Sequence, residues 1–303
     1  MLNITKPEVF GIKDQYFRYS FSKKNYFCAM FMKMRKFGIG FILVSILFTS
    51  CGDYNKILKS TDYEFKYKKA IEYYEDGEFV RAGTLFNELL SIYRGTSRAD
   101  KIYYYYAKSM IGQKDYLMAG HYFGTLIKEF PTSDYVEESQ FMVGYCGYLL
   151  SPKPRLDQTT THEAIDALQL YINLYPYSDR VEEANRLIDE LQEKLVEKSY
   201  LSAKMYFDFG NYKAAVVALG NSLREYPDSH FREELKFMLL KSKYLLAVNS
   251  VEAKKEQRLS SALDEYFTFA DEFPDSEHKK EAEKFYETLA EELHYNDETT
   301  NLN

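Results

Sequence analysis

Ala119…Phe130-Pro131-Thr132-Ser133 is one copy of a phrase that this chain repeats. It returns as Ala164…Tyr175-Pro176-Tyr177-Ser178, as Ala215…Tyr226-Pro227-Asp228-Ser229 and as Ala262…Phe273-Pro274-Asp275-Ser276. Each time an Ala is followed twelve residues later by a Pro, with an aromatic before the Pro and a Ser two places after it. A degenerate copy begins at Ala82 and reaches Tyr93-Arg94-Gly95-Thr96, with Arg94 in the proline position. Repetition at fixed phase means one supersecondary unit copied along the chain, each copy burying an apolar face on the next because none can bury it alone. Such a solenoid offers a curved binding surface rather than a single catalytic pocket.

Within the phrase the apolar spacing is helical. Phe79, Ala82, Phe86, Leu89 and Tyr93 follow steps of three and four, as do Tyr212, Ala215, Val216, Leu219, Leu223 and Tyr226. Pro ends the helix, since it lacks an N–H and biases its predecessor out of the α region. A Ser or Asp just beyond is placed to cap the next helix. Asp76-Gly77-Glu78-Phe79 and Phe209-Gly210-Asn211-Tyr212 read as tight turns between paired helices, with Gly taking positive φ. No strand-like alternation of useful length occurs. The predicted fold class is therefore all-α: about five helical hairpins over residues 63–295, closed by a capping helix from about Lys279 to His294.

Two segments depart from the period. Ser151 to Thr161 carries two prolines and a threonine run, and predicts a long loop projecting between the helices of the third repeat. Val181 to Phe209 contains neither Gly nor Pro and predicts one helix of 29 residues joining the two halves as a strut. The linking segment of the fifth repeat, Val248 to Leu259, is also lengthened and highly charged.

The N-terminus reads as address rather than fold. Met34-Arg35-Lys36 is a short basic start, Phe37 to Phe48 an apolar run of twelve, and Thr49-Ser50-Cys51 follows. Twelve residues fall short of the ~20 that a membrane-spanning helix needs. Residues 34–50 resemble a bacterial lipoprotein signal, in which the Cys after the small pair is acylated and becomes the mature start. Cys51 is thus the candidate lipidation site, residues 51–62 the tether, residues 1–33 an overcalled start or disordered extension, and 296–303 a disordered tail. Stable anchoring to a bilayer would come from two or more acyl chains, at about 0.8 kcal/mol per buried CH₂.

The whole chain has a formal net charge of −7; removing the first fifty residues takes away eight basic and two acidic side chains and leaves −13. An acidic body of this size repels phosphate backbones, so no nucleic acid is expected as partner. Only Cys146 then remains as an interior thiol, with no cysteine to pair with, and reads as a small buried apolar residue.

Catalytic chemistry finds no foothold in the pattern. His121, His162, His230, His278 and His294 are scattered over different repeats, without a zinc-ligand spacing to Cys or carboxylate partners. Glu137-Glu138, Glu182-Glu183 and Glu233-Glu234 each fall in the first turn of a helix, where they complement its dipole better than they would serve as an acid/base pair. No catalytic residue, metal site or cofactor is expected, and the protein is expected not to be an enzyme.

The repeat resembles the tetratricopeptide motif, a 34-residue helix–turn–helix with small residues where its helices meet and an A-x₃-F step in the second helix. Ala82 and Phe86, Ala119 and Phe123, and Ala215 and Leu219 match that step, with Ala70, Ala107 and Ala203 as the earlier small residues. In such arrays the first helices line the concave groove. The resemblance therefore implies a groove lined by Tyr67, Ile71 and Tyr74; by Lys101, Tyr104, Lys108 and Ile111; by Phe141, Tyr145 and Tyr148; and by Tyr200, Lys204 and Phe207. With 29 Tyr, 22 Phe and no Trp in the chain, that groove would suit an extended or helical peptide carrying aromatic side chains and a carboxylate. Tyr103-Tyr104-Tyr105-Tyr106 must point around a whole turn, so at least one is expected in the core and at least one outside.

Met142-Val143-Gly144 with Leu156-Asp157-Gln158, and Tyr200-Leu201-Ser202-Ala203-Lys204-Met205-Tyr206 running into Gly210-Asn211-Tyr212 and Arg224-Glu225-Tyr226-Pro227-Asp228-Ser229, add a further likeness. Together with the acylated Cys, the repeats and the strut, they make residues 51–295 resemble the BamD family, tetratricopeptide lipoproteins of the bacterial β-barrel assembly machine. The resemblance implies an outer-membrane, periplasm-facing scaffold. Its amino-terminal repeats would bind unfolded outer-membrane β-barrel precursors, and its carboxy-terminal half the periplasmic domains of the barrel-shaped insertase. The alternative is a surface tetratricopeptide lipoprotein that binds glycans for nutrient uptake, stacking sugars on its tyrosines.

Overall fold

The computed structural model describes residues 53–293. The proposed signal, Cys51, His294 and the C-terminal tail lie outside them. Among the described residues there are helices and turns and no strand. The first described element, α1, spans residues 53–59 and is followed by α2 (Tyr63–Glu75). The two lie in an N-terminal unit that ends at Asp76. Asp62 caps α2 by accepting from the Phe65 N–H at 2.9 Å, and buried Lys66 donates to the Leu58 carbonyl at 2.9 Å, fastening α1 to α2.

The second unit begins at Gly77. It holds α3 (Phe79–Ile92), α4 (Ala99–Gly112), α5 (Tyr116–Glu129), α6 (Val136–Leu150), α7 (Thr159–Leu174) and α8 (Val181–Asp208). After these come α9 (Tyr212–Glu225), α10 (Arg232–Val248), α11 (Glu252–Glu272) and α12 (Lys279–Glu292). Each helix packs on the next in the chain, and α6 touches α8, α8 touches α10 and α10 touches α12. Contact between alternate helices as well as successive ones is what a stack of hairpins requires, and the architecture is an all-α, tetratricopeptide-type solenoid.

The recurring phrase is explained atom by atom. α5, α7, α9 and α11 each end two residues before their proline. The following Ser hydroxyl accepts the N–H two residues on: Ser133 from Tyr135, Ser178 from Arg180, Ser229 from Phe231 and Ser276 from His278, at 3.1–3.4 Å. Thr96 serves Arg98 in the same way, so the degenerate copy keeps the turn without its proline. The landmark alanines Ala82, Ala119, Ala164, Ala215 and Ala262 are all fully buried. Phe86, Phe123, Phe141, Tyr171 and Phe269 are the largest fully buried side chains among the described residues.

Gly77 and Gly210, read from sequence as turn residues, carry positive φ (+76° and +70°). The equivalent position in the next hairpin is Lys114, held at φ 62° between α4 and α5. Asp115 and Asn211 then cap their helices by accepting from Met118 and Ala214.

α8 runs for 28 residues, about 42 Å, as the lack of Gly and Pro predicted. The charged stretch before Leu259 is not a linker: from Glu252 on it forms the first two turns of a 21-residue α11. The loop of the third repeat also differs from expectation. Thr159, Thr160 and Thr161 open α7, with the Thr159 N–H donating to Asp157, so the loop is only residues 151–158. It does not project. Lys194 and Lys198 of α8 donate to its Ser151, Arg155 and Leu156 oxygens and lay it against the strut.

Candidate functional site

The first helices of successive hairpins in the second unit are α4, α6, α8 and α10, with α12 as the next in line. Three of their four junctions share one device. Tyr104 of α4 stacks on Tyr135, the residue before α6, at 4.5 Å between centroids. Its hydroxyl donates to Glu138 at 2.6 Å, and Lys108, one turn further along α4, donates to the other oxygen of Glu138 at 3.1 Å. Tyr200 of α8 stacks on Phe231, the residue before α10, at 4.0 Å, and Lys204 donates to Glu234 at 2.9 Å. Phe237 of α10 stacks on His278, the residue before α12, at 4.0 Å, and Lys241 donates to Glu281 at 2.7 Å. The ammonium of each lysine lies 5.7–5.8 Å from the ring one turn before it.

The chemistry follows from helix periodicity. An aromatic and a Lys four apart share one face of the first helix. A Glu three residues past the cap residue lies in the first turn of the next helix, beside that face. The pair of acidic residues at each helix start does complement the dipole, as read from sequence. Glu138 and Glu234, the second members of two such pairs, and Glu281 also close a latch to the preceding hairpin, and all three are half-buried rather than solvated.

The junction between α6 and α8 is built differently. Arg180, the residue before α8, lies with its guanidinium carbon 4.8 Å from the centroid of the Phe141 ring, and its Nη2 comes within 3.6 Å of Glu138. Glu138 therefore faces Tyr104, Lys108 and Arg180 together. Burial pushes its carboxyl up, but the hydrogen bonds of Tyr104 and Lys108 and the two positive charges outweigh that, and it sits below the ordinary carboxylate value. Tyr200 is pushed up by burial and by Glu234, and Lys204 is raised chiefly by its hydrogen bond to Glu234.

The residues read from sequence as groove-lining fall out as follows. Tyr104, Lys108, Tyr200 and Lys204 come together in pairs, each pair holding a glutamate from the next hairpin. Phe141 is buried and stacks on half-buried Tyr145 at 6.1 Å, while Tyr148 donates to Glu190 of α8 at 2.6 Å. Lys101 is half-buried with its ammonium 5.9 Å from the Tyr105 ring. Tyr67 and Tyr74 lie half-buried on α2, in the N-terminal unit. The four consecutive tyrosines do not divide into core and outside. Tyr104 and Tyr106 are buried, and Tyr103 and Tyr105 are half-buried against Phe130 and Phe86, because helices flank α4 on two sides.

Sequence reasoning missed Glu138, Glu234, Glu281, Arg180 and the stacked Tyr135, Phe231 and His278. Their signal was present as a Glu recurring three residues after each cap. A surface cavity of about 670 Å³ adjoins Glu138 and Arg180 and reaches Tyr171, Tyr175 and the fully exposed Tyr177. A second, of about 480 Å³, lies between Lys204, Phe207, Phe237 and Lys241. Among the described residues no group of His, Cys, Asp or Glu gathers as a metal site, and no helix is long and apolar enough to cross a membrane.

A stack of helical hairpins latched along the first helices, with aromatic-lined cavities beside the latches, defines a tetratricopeptide-type solenoid. The sequence model of one family, described as YfiO, outer membrane lipoprotein, matches residues 60–259. The chain belongs to that family. A curated relative from Aquifex aeolicus (strain VF5), named putative outer membrane protein assembly factor BamD, is 25% identical over 254 residues, covering 83% of this chain and 82% of its own. Two solved structures are similar at 13% identity. The TPR2AB-domain:pHSP90 complex of yeast Sti1 gives a TM-score of 0.35, covering 75% of this chain and 98% of that one. The TPR domain of P58(IPK) gives 0.38, covering 80% and 64%.

Proposed function

We propose that this protein is a non-enzymatic scaffold of the outer-membrane β-barrel assembly machinery. It is anchored through acylated Cys51, faces the periplasm, and brings unfolded outer-membrane protein precursors to the barrel-shaped insertase. The observation that carries this reading is the family match over residues 60–259, which falls on the repeating hairpins themselves. The name of the Aquifex relative, an assembly factor, supports the same role.

On this reading the precursor-binding groove of the second unit is the face carrying Lys101, Tyr104, Lys108, Phe141 and Tyr145, and in the N-terminal unit Tyr67 and Tyr74 are the candidate contacts. Tyr200 and Lys204 extend the same pattern toward the insertase-binding half. Aromatic rings beside lysines suit a peptide segment with aromatic side chains and a terminal carboxylate. The latches make the ligand's task competitive: a carboxylate entering beside Lys108 meets Glu138 already there.

Purification of the full-length lipoprotein from native membranes in mild detergent tests the reading. The barrel insertase should co-purify in stoichiometric amount. Recovery of glycan-uptake porins in its place, together with digestion by protease on intact cells, would replace this reading by the surface glycan-binding one.

A further inference from the structure

The loop between α6 and α7 is built as a rigid platform, and its surface chemistry is unlike that of the rest of the chain. Buried Gln158 sits inside it and donates its amide to the carbonyls of Lys153, Pro154 and Leu156, at 2.9, 3.4 and 3.1 Å. Its own oxygen accepts from the Thr161 hydroxyl at 2.7 Å, and Thr161 meets Ser151 at 2.6 Å. From outside, Lys194 reaches the Ser151 hydroxyl at 2.7 Å, and Lys198 spans the Arg155 and Leu156 carbonyls at 3.2 and 2.8 Å. Backbone oxygens at the tip are thereby satisfied within the molecule, so the loop is held in one conformation before any partner arrives.

That conformation turns apolar side chains outward. Leu156 is 57% exposed at the tip. Facing the loop across a cavity of about 490 Å³, α8 and the turn after it present Leu201, Met205 at 45% exposure and Phe209 at 80%. The volume lies within the ~300–1,000 Å³ of typical ligand pockets. Exposed apolar side chains are ordinary when scattered, but a contiguous group around a concavity marks a contact surface.

Charge identifies the partner's chemistry. The chain is acidic, and along its first helices lysines are matched to carboxylates: Lys108, Lys204, Lys236, Lys241 and Lys243 each hold a glutamate. At the platform this balance fails. Lys153 and Arg155 are exposed and form no ion pair among the described residues. Lys198 spends its donors on carbonyls, with Asp157 the carboxylate whose titration it influences. Asp157 and Asp208 are the acidic groups of the patch, against Lys153, Arg155 and Lys198, with a fourth cation, Lys204, already held by Glu234.

We propose that the 151–158 loop and the Leu201–Phe209 end of α8 form a docking surface for a partner protein segment that sets acidic side chains around apolar ones. A concavity with an apolar lining favours inserted side chains over a flat array of lipid headgroups, which would satisfy the cations and leave the cavity unfilled. The inference goes beyond the barrel-assembly reading, which assigns nothing to the 151–158 loop; Tyr200 and Lys204, which that reading places in its groove, also line this cavity.

The test uses the full-length lipoprotein in detergent and three labelled 14-residue peptides. They share a Leu/Phe face at helical spacing and carry Glu, Gln or Lys at the flanking positions; binding is read by fluorescence anisotropy. The Glu peptide should bind saturably and at least tenfold tighter than the Lys peptide. Phe209→Asp and Arg155→Glu, both at exposed positions, should each weaken it at least tenfold while leaving the melting curve in place. Equal binding of the Glu and Lys peptides, absence of saturable binding, or indifference to both substitutions would overturn the proposal. So would displacement of the Glu peptide by millimolar glycerophosphoglycerol in an Arg155-dependent manner, which would assign the surface to anionic headgroups.

Discussion

Replacing Glu138 by Ala removes one carboxylate from three donors at once: the Tyr104 hydroxyl at 2.6 Å, the Lys108 ammonium at 3.1 Å and the Arg180 guanidinium at 3.6 Å. A hydrogen bond to a charged group contributes roughly 1.5–3 kcal/mol net. The Lys108 and Glu138 side chains keep 26% and 29% of their exposure, so water takes over part of what is lost. The expected cost is therefore about 2 kcal/mol rather than the sum of the bonds. At roughly 2–4 °C per kcal/mol for a chain of this size, the melting midpoint should fall by about 4–8 °C. Calorimetry measures it, and a double-mutant cycle with Lys108→Met should return a coupling of about 1 kcal/mol. Glu137→Ala, at the exposed neighbour, should change stability by less than about 0.5 kcal/mol. Because the folded carboxyl titrates below its ordinary 4.5, the latch contributes fully above that pH and is lost as pH falls through the lower folded value. The Glu138→Ala deficit should then shrink on acidification below 4.5. A variant that melts within 1 °C of the parent at neutral pH, or a coupling of zero, would refute the reasoning.

Lys114→Gly should raise stability by about 1 kcal/mol, since it relieves a positive φ that glycine occupies at the equivalent turns, and chemical denaturation will show it. Gly144→Ala should cost about 1–3 kcal/mol, because its Cβ would meet Leu168 side-chain atoms at 2.7 Å and the Leu168 backbone nitrogen at 3.1 Å. Gly124→Ala and Gly220→Ala, in helices with open space around the new methyl, should each gain up to about 1 kcal/mol. Burial pushes the Cys146 thiol up to about 12, so iodoacetamide at pH 8 should leave residue 146 unmodified in the native protein and label it in urea, as peptide mapping will report. Gln158→Ala should open the 151–158 loop to limited proteolysis while α8 stays intact.

The fold was legible because its grammar is local. A fixed interval from Ala to aromatic-Pro, a Ser two residues on and Gly at the turns each act within one hairpin, and each is visible in a single copy. The length of α8 followed from the absence of breakers over Val181–Asp208. What was not legible depends on neighbours far along the chain. Thr159–Thr161 looked too polar and β-branched to begin a helix, yet Asp157 caps it and buried Gln158 stitches the preceding loop. Tyr104, Lys108, Tyr200 and Lys204 were read as groove residues from their face of the helix. That Glu138 and Glu234 engage them is a contact across 30 or more residues, fixed by the pitch of the solenoid. Arg180 in place of an aromatic at the junction between α6 and α8 follows no repeat rule and emerges only from the packing.

Depletion of the protein from its own cells, followed by heat-modifiability of newly made outer-membrane proteins on gels, tests the central claim most directly. The account predicts that folded barrels decline while other outer-membrane lipoproteins keep their abundance. Barrels that go on folding at the normal rate after the protein is gone would contradict it.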